Sequence, residues 1–337
     1  MSISSSLVPP RVRAGEAVCG QSANGTPPVL SIFIVGYQSA EFIERCIEAI
    51  APASRRRSYE VLLIDNGDGS TALLVEGKYP EVRIVPSMGN IGFAAGNNRL
   101  AHHARGAYFL LLNPDMQLNN GAIDALLDGA ERHPAASVWG GVSLGADGAP
   151  DTGNSVAIPS LLGLLRFAFG QSETGYSANA SLEKDAPSAA LMGGLMMVRR
   201  RTWEDSGGLD ERYFLYCEEV DLFYRLGKSG HSFMRVARAM GRHDAGHGDN
   251  FSPRRELYRV AGIMQFATLH WSLPARVIAA LLIWLGAFGR LLAGTLFARF
   301  RPRWGSLARA NRYVATRPFL WMRGYDPDQG LLARLKR

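Results

Sequence analysis

Large apolar residues fall in short runs that stop at polar or glycine-rich breaks. Val29-Leu30-Ser31-Ile32-Phe33-Ile34-Val35, Val61-Leu62-Leu63-Ile64, Val82-Arg83-Ile84-Val85 and residues 107–112 have the length and β-branched or aromatic content of buried strands. Between them lie helical spacings. Phe42, Ile43, Cys46, Ile47 and Ile50 mark one helix, with Ser39 expected as its N-cap and Pro52 at its end. A second helix is expected over 97–104, and Ile123, Leu126, Leu127 and Ala130 mark a third. Further on, residues 161–167 predict a short helix, 171–189 a loop, and Leu191–Val198 and Val236–Met240 strands. Strands alternating with helices imply an α/β domain, read here as a mostly parallel, doubly wound sheet with helices on both faces.

The run Tyr108-Phe109-Leu110-Leu111-Leu112 stops abruptly at Asn113-Pro114-Asp115. Ligands collect at the carboxyl ends of strands in such sheets, so Asp115 is expected at the mouth of a crevice. Asp65 follows another strand, and Glu218-Glu219-Val220-Asp221 supplies a third acidic cluster. Transfer from a nucleotide-activated donor needs such a kit. One carboxylate reads the nucleoside, one holds a cation against the phosphates, and one accepts the proton of the attacking hydroxyl. The first strand-turn lacks G-x-G-x-x-G, so the ordinary dinucleotide fingerprint is missing. Gly193-Gly194 admits two readings, a close approach of backbone to ligand or a bulge.

With these pieces in this order, the sequence resembles the family 2 inverting glycosyltransferases of GT-A fold, in their rhamnosyltransferase-like branch. The resemblance runs from about residue 30 to 248. It is carried by Val35-Gly36-Tyr37-Gln38-Ser39, Ile64-Asp65-Asn66, Asn90 to Asn98, Leu112-Asn113-Pro114-Asp115, Gly207-Gly208-Leu209-Asp210-Glu211, Glu218–Leu222 and His243. It implies that Tyr37, Asp65, Asn90, Gly92, Asn97 and Asn113 contact the donor. It implies that Asp115 and His243 hold a divalent cation, Mg or Mn, and that Glu219 is the catalytic base. Glu219 stands where the family usually has Asp, so Glu218 or Asp221 could share or take that role. Asn113 replaces the first acid of a full D-x-D. A non-catalytic glycan-binding or assembly subunit that has lost its chemistry through these two changes is the alternative.

Composition adds a compartment and a surface. Three widely spaced cysteines, Cys19, Cys46 and Cys217, show no metal-ligand spacing and point to a reducing compartment. The net charge is +7, but ten Lys or Arg after residue 298 face only Asp326 and Asp328, so residues 1–298 sum to −1. Just before this basic tail, Val277–Ala298 is apolar except for Arg290. Three placements stay open: along a membrane interface, packed on the catalytic domain as a helical hairpin, or across the bilayer. An anionic membrane surface suits the tail better than nucleic acid does. The expected organisation is a disordered leader at 1–28, the catalytic domain at 29–250 and a helical, basic extension at 251–337. The expected enzyme moves a sugar, such as rhamnose or another deoxyhexose, from a nucleotide diphosphate sugar to a hydroxyl of a cell-surface polysaccharide or lipid-linked glycan. It would act in the cytoplasm, peripheral on the inner face of the membrane.

Overall fold

The computed structural model describes residues 26–145, 148–150, 157–171, 183–243 and 252–325. The leader before residue 26, His247, most of the loop read at 171–189, and the chain after Tyr325 lie outside the described residues. The strands are β1 (Leu30–Gly36), β2 (Tyr59–Asp65), β3 (Val82–Ile84), β4 (Tyr108–Leu112), β5 (Met116–Leu118), β6 (Ala136–Leu144), β7 (Ala186–Pro187), β8 (Leu195–Arg199) and β9 (Ser232–His243). The helices are α1 (Ile43–Ala53), α2 (Ser70–Lys78), α3 (Gly92–His103), α4 (Ala122–Arg132), α5 (Leu161–Ala168), α6 (Arg200–Ser206), α7 (Glu218–Lys228), α8 (Pro253–His270), α9 (Leu273–Phe297) and α10 (Pro302–Thr316).

One mixed sheet runs β3-β2-β1-β4-β8-β6-β9-β5, with β7 on β9. Its first four strands are parallel, as the strand-helix alternation predicts. Beyond β4 the expectation of a mostly parallel sheet gives way. β8 lies antiparallel between β4 and β6, and β5 lies antiparallel to β9, while β6 and β9 are parallel. The chain leaves β6 on a long excursion and re-enters the sheet as β8 at the end where β6 finished, so it runs back along β6. An apolar run does not encode strand direction, so this half was invisible in the pattern.

The sheet is buried on both faces, which explains its continuous apolar runs. Leu30, Ile32, Ile34, Leu110 and Leu112 pack on one side with residues of α1 and α4. Phe33, Val35, Phe109 and Leu111 pack on the other with residues of α3, α6 and α7. The period of two along each strand sends alternate side chains to opposite cores. A third core joins Tyr213, Cys217 and Val220 to α8, α9, α10 and Trp321. The C-terminal helices therefore pack directly on the segment that leads into α7.

Three local readings need correction. Helix α3 begins at Gly92, five residues before the expected start, because Asn97 and Asn98, poor helix formers by propensity, are held by specific hydrogen bonds. Ser39 does not cap α1. Its hydroxyl accepts from Tyr37 N–H at 3.0 Å, and its carbonyl accepts from Phe42 and Ile43 N–H in a preceding turn. Strand β9 extends well past Val236–Met240 at both ends.

Candidate active site

The carboxyl ends of β1, β2 and β4, with the loop before α7, enclose the predicted residues. β4 ends at Leu112, and Asn113-Pro114-Asp115 turns the chain into β5. The register of β5 on β9 sets Met116 opposite His243. That pairing brings His243 Nε2 to 3.1 Å from both carboxylate oxygens of Asp115. His243 is nearly buried, while Asp115 keeps some exposure. The same loop presses on α1: the buried Cys46 thiol lies 3.5 Å from the Asn113 carbonyl. Burial, and secondarily the charge of Asp115, push that thiol far above its ordinary range.

Strand β8 enters this corner through Gly193-Gly194. A Cβ on Gly194 would lie 2.6 Å from Asn113 Nδ2, and one on Gly193 would lie 3.7 Å from the side chains of Glu219 and Phe93. The close approach is to protein side chains. Gly194 leaves room for Asn113, while Gly193 is in ordinary contact with the first turn of α7 and with Phe93. Phe93 N–H also donates to Phe214 O at 2.9 Å, so the start of α3 docks on the segment leading to the acidic cluster.

That segment is strained. Tyr216 and Cys217 take φ of 68° and 71°, and neither is glycine. Such conformations cost about 1–3 kcal/mol each and persist only where their surroundings hold them. They launch α7 so that Glu218, Glu219 and Asp221 fall in its first turn. A helix N-terminus favours negative charge, but burial outweighs it for the first two. Glu218 is 3% exposed and each of the two carboxyl groups has a buried Oε2 with no hydrogen-bond partner. Desolvation first, and the neighbouring Glu219 second, hold the Glu218 carboxyl well above its ordinary value. Desolvation also raises Glu219. Two adjacent, dry carboxyls of this kind titrate as a pair and retain a proton that ordinary glutamates would have lost.

Asp221 is arranged differently. It is 0% exposed, with Oδ2 2.6 Å from Arg225 Nε and Oδ1 2.6 Å from His270 Nε2. Tyr213 O–H donates to it at 3.4 Å. Arg225 in turn donates to the carbonyls of Ser206 and Gly208. Both oxygens of Asp221 are thus committed to holding α7, α8 and the Gly207–Gly208 loop together.

The donor-side residues also divide. Tyr37 is 41% exposed at the end of β1, and Arg254 in the first turn of α8 hydrogen-bonds its phenol. Asp65 is 2% exposed and accepts from Gly67 N–H at 2.7 Å and Ala72 N–H at 3.0 Å, so it shapes its own loop. Asn90 is exposed and accepts from Gly92 N–H at 3.3 Å. Gly92 takes φ of +87° against Phe214. Asn97 is buried within α3 and donates to Phe93 O. Sequence reasoning missed three residues. Asn66 donates to Gly92 O at 2.8 Å, Arg254 brings a cation to Tyr37, and His270 pairs with Asp221. Asn66 follows Asp65 directly and was visible as part of the strand-end loop. The other two reach the site only through tertiary packing.

The set Asp115 and His243 suits a cation such as Mn, which accepts carboxylate oxygen and imidazole nitrogen together. Among the described residues no group of three or more His, Cys, Asp or Glu side chains could hold a metal. A two-residue set fits a cation that takes its other ligands from a diphosphate and water.

Solved structures share this architecture. The mannosyltransferase PcManGT from Pyrobaculum calidifontis, described in complex with GDP-Man and Mn2+, superposes with a TM-score of 0.54 at 14% identity, covering 86% of each chain. GalNAc-T7, described with UDP, GalNAc and Mn2+, gives 0.56 at 13% identity over 89% of this chain and 56% of its own. These likenesses define the fold as that of GT-A nucleotide-sugar transferases. Sequence comparison gives the family. The profile of Glycosyl transferase family 2 matches residues 31–201. A curated relative, the N-acetylglucosaminyl-diphospho-decaprenol L-rhamnosyltransferase of Mycobacterium tuberculosis, is 33% identical over 249 residues, 68% of this chain and 80% of its own. The low-salt glycan biosynthesis hexosyltransferase Agl10 of Haloferax volcanii is 26% identical over 58% of this chain and 61% of its own. The chain belongs to glycosyl transferase family 2, is rhamnosyltransferase-like, and is a glycosyltransferase.

Proposed function

We propose that this glycosyltransferase is metal-dependent and inverting, and that it moves a deoxyhexose such as rhamnose from a nucleotide diphosphate sugar to a hydroxyl of a lipid-linked glycan precursor. The observation that carries the reading is that Asn113 packs against Gly194 and Glu219 against Gly193, so that the turn bearing Asp115 and the first turn of α7 border adjacent residues of one segment. Asp115 and His243 would hold the cation, which supplies positive charge against the leaving diphosphate. Tyr37 would face the donor base with Arg254 beside it, and Asn113 would contact the donor.

Glu219 accepts the acceptor hydroxyl proton as the hydroxyl oxygen bonds to the anomeric carbon. The bond from that carbon to the diphosphate oxygen breaks, and its electron pair leaves with the diphosphate. A dry base of raised pKa is well matched to this task, provided it is ionised at the moment of attack. Asp221, committed to Arg225 and His270, holds the turn in place. Glu218 tunes its neighbour. Asp65, Asn90, Gly92 and Asn97 shape the donor side through backbone contacts.

The curated relative's name specifies a diphospho-decaprenol-linked N-acetylglucosamine, and a lipid-linked acceptor calls for a membrane. Helix α9 is the one described helix long and apolar enough to cross one, at a mean hydropathy of 2.0. Its two faces differ. Leu273, Val277, Leu281, Leu285, Leu292 and Leu296 are each at least 50% exposed and follow one face. Ala279, Ile283, Ala287 and Gly294 are buried on the other. Arg290 donates to Phe167 O at 2.7 Å and lies 3.8 Å over the Phe167 ring, so its charge is anchored on α5. A helix packed on protein along one side and apolar along the other favours lying in the cytoplasmic interface over crossing it. The exposed Arg309, Arg312 and Arg317 on and after α10 suit an anionic leaflet. The boundary near residue 250 would then separate a sheet domain from a helical membrane-facing unit packed against it.

The test is a panel of nucleotide sugars with and without Mn2+ or Mg2+, scored by transfer, donor hydrolysis and thermal shift. Metal-dependent turnover of a deoxyhexose donor is expected. Nucleotide binding without turnover of any donor would overturn the catalytic reading in favour of a binding subunit.

A further inference from the structure

Four residues from beyond residue 250 converge on the strained turn before α7 and the segment leading to it. On α8, Arg255, Tyr258 and Gly262 lie three and four residues apart, on one helix face. Arg255 Nε donates to the Tyr216 hydroxyl at 3.2 Å. Tyr258 stacks on Phe214 with centroids 6.0 Å apart. A Cβ on Gly262 would lie 2.6 Å from Tyr216 O and 3.1 Å from Cys217 Sγ. From behind, the Tyr325 hydroxyl donates to Leu215 O and, at 2.8 Å, to Tyr258 O. Tyr325 is itself buried, its N–H bonded to Gln265 Oε1 at 3.3 Å and Gly324 turning at φ 75° against the same glutamine. One phenol proton thus ties the C-terminal segment, α8 and the Leu215–Cys217 turn into a single unit.

We propose that Tyr325 is a positioning residue for catalysis, holding the Leu215–Cys217 turn in its left-handed conformation so that α7 aims Glu219 at the acceptor hydroxyl. The inference rests on the glycosyltransferase reading above and extends it to a residue 106 positions from the carboxyl it serves. Two successive non-glycine residues at positive φ need restraint. Helix α7 holds Cys217 through Asp221 N–H to Cys217 O at 2.9 Å, without a side-chain cap, and Tyr325 holds the turn at Leu215 from outside the helix. Tyr216 interacts electrostatically with Glu218, Glu219 and Arg255, and Tyr325 with Glu218, Cys217, Tyr258 and Tyr216. Loosening the turn would admit water to the carboxyl pair and let its proton leave at lower pH.

The experiment compares wild type with Tyr325→Phe and, from the other side of the turn, Gly262→Ala, all in the full chain. The readouts are kcat, donor KM, the pH dependence of kcat, and amide exchange across residues 213–222. Tyr325→Phe should lower kcat about tenfold with donor KM within twofold. It should move the ascending limb of the pH profile toward acid and speed exchange at 215–220 while leaving 61–65 unchanged. Gly262→Ala should act in the same direction. A Tyr325→Phe enzyme with wild-type kcat and pH limb would overturn the inference and leave the glycosyltransferase reading standing. So would a kcat loss without movement of the limb, which would mark Tyr325 as structural support only. A wild-type chain that turns over no donor would instead sink the reading on which the inference rests.

Discussion

Two acidic corners of this molecule are built from the same kind of side chain and treated in opposite ways. Asp115 sits at the end of a parallel strand, partly exposed, with a histidine 3.1 Å from both its oxygens. Glu218, buried, and Glu219, half-buried, open a helix side by side, each with a buried orphaned oxygen. The first environment leaves a carboxylate open to a cation. The second penalises negative charge and holds both carboxyls above their ordinary value. The difference teaches that surroundings set what a carboxyl can do: an open one beside a histidine suits the proposed cation site, and a dry one suits the proposed proton acceptor.

The sharpest break in the comparison is Glu219→Gln. It preserves shape and removes the base, so turnover should fall about 10²–10⁴-fold while donor binding persists. Thermal stability should hold or rise, because an uncharged amide no longer resists burial. Turnover by the variant within tenfold of wild type would move the base elsewhere. Asp221→Ala probes the third acid of the same turn and should break something else. It removes the carboxylate that joins Arg225 and His270, both half-buried, with Arg225 keeping its bonds to the Ser206 and Gly208 carbonyls, a loss of at most about 3 kcal/mol. Urea unfolding reads it directly. Full stability with lost turnover would return Asp221 to the list of proton acceptors.

Legibility followed the same division. The Asp115 corner was readable because a short apolar run ending in Asn-Pro-Asp announces a strand end, and strand ends carry ligands. The family resemblance then added His243, which no local pattern links to Asp115; their contact depends on β5 pairing antiparallel with β9. The acidic cluster was readable as a cluster, but its internal split was not. Arg225 stands four residues after Asp221 and could be seen, whereas His270 lies on another helix. The backbone strain at Tyr216 and Cys217 left no trace either, since positive φ is signalled by glycine or asparagine and neither is present. Gly193-Gly194 was visible but ambiguous, and only the packed structure shows that the approaching atoms belong to Asn113. The parallel half of the sheet was legible from alternation, and the antiparallel half was not.

Asp115→Ala tests the other corner. Losing one preorganised charge at the leaving group should cost about a hundredfold in turnover. Calorimetry sharpens the assignment. Mn2+ alone should bind the wild type weakly, since Asp115 and His243 are only two ligands, and a nucleoside diphosphate should strengthen it. The variant should lose that strengthening. Tight binding of Mn2+ to the nucleotide-free protein would show a more complete metal site than these two residues form.

The smallest effect is the most discriminating between the corners. Glu218→Gln removes the charge beside Glu219 without touching the base. Both carboxyls are held above 4.5, their ordinary value. A raised carboxyl makes the fold most stable where it is protonated, below that value, and stability is lost as pH rises through its folded range. Glu218→Gln deletes one of the two such groups, so its melting temperature should gain on wild type progressively as pH rises above the ordinary glutamate range. Relieved of its neighbour, Glu219 should ionise more readily, and the ascending limb of kcat against pH should move toward acid, with plateau turnover changed by less than about tenfold. Both curves come from the same buffers at constant ionic strength. Parallel melting curves and a stationary limb would mean that the two glutamates titrate independently. The contrast with Asp115 would then rest on burial alone.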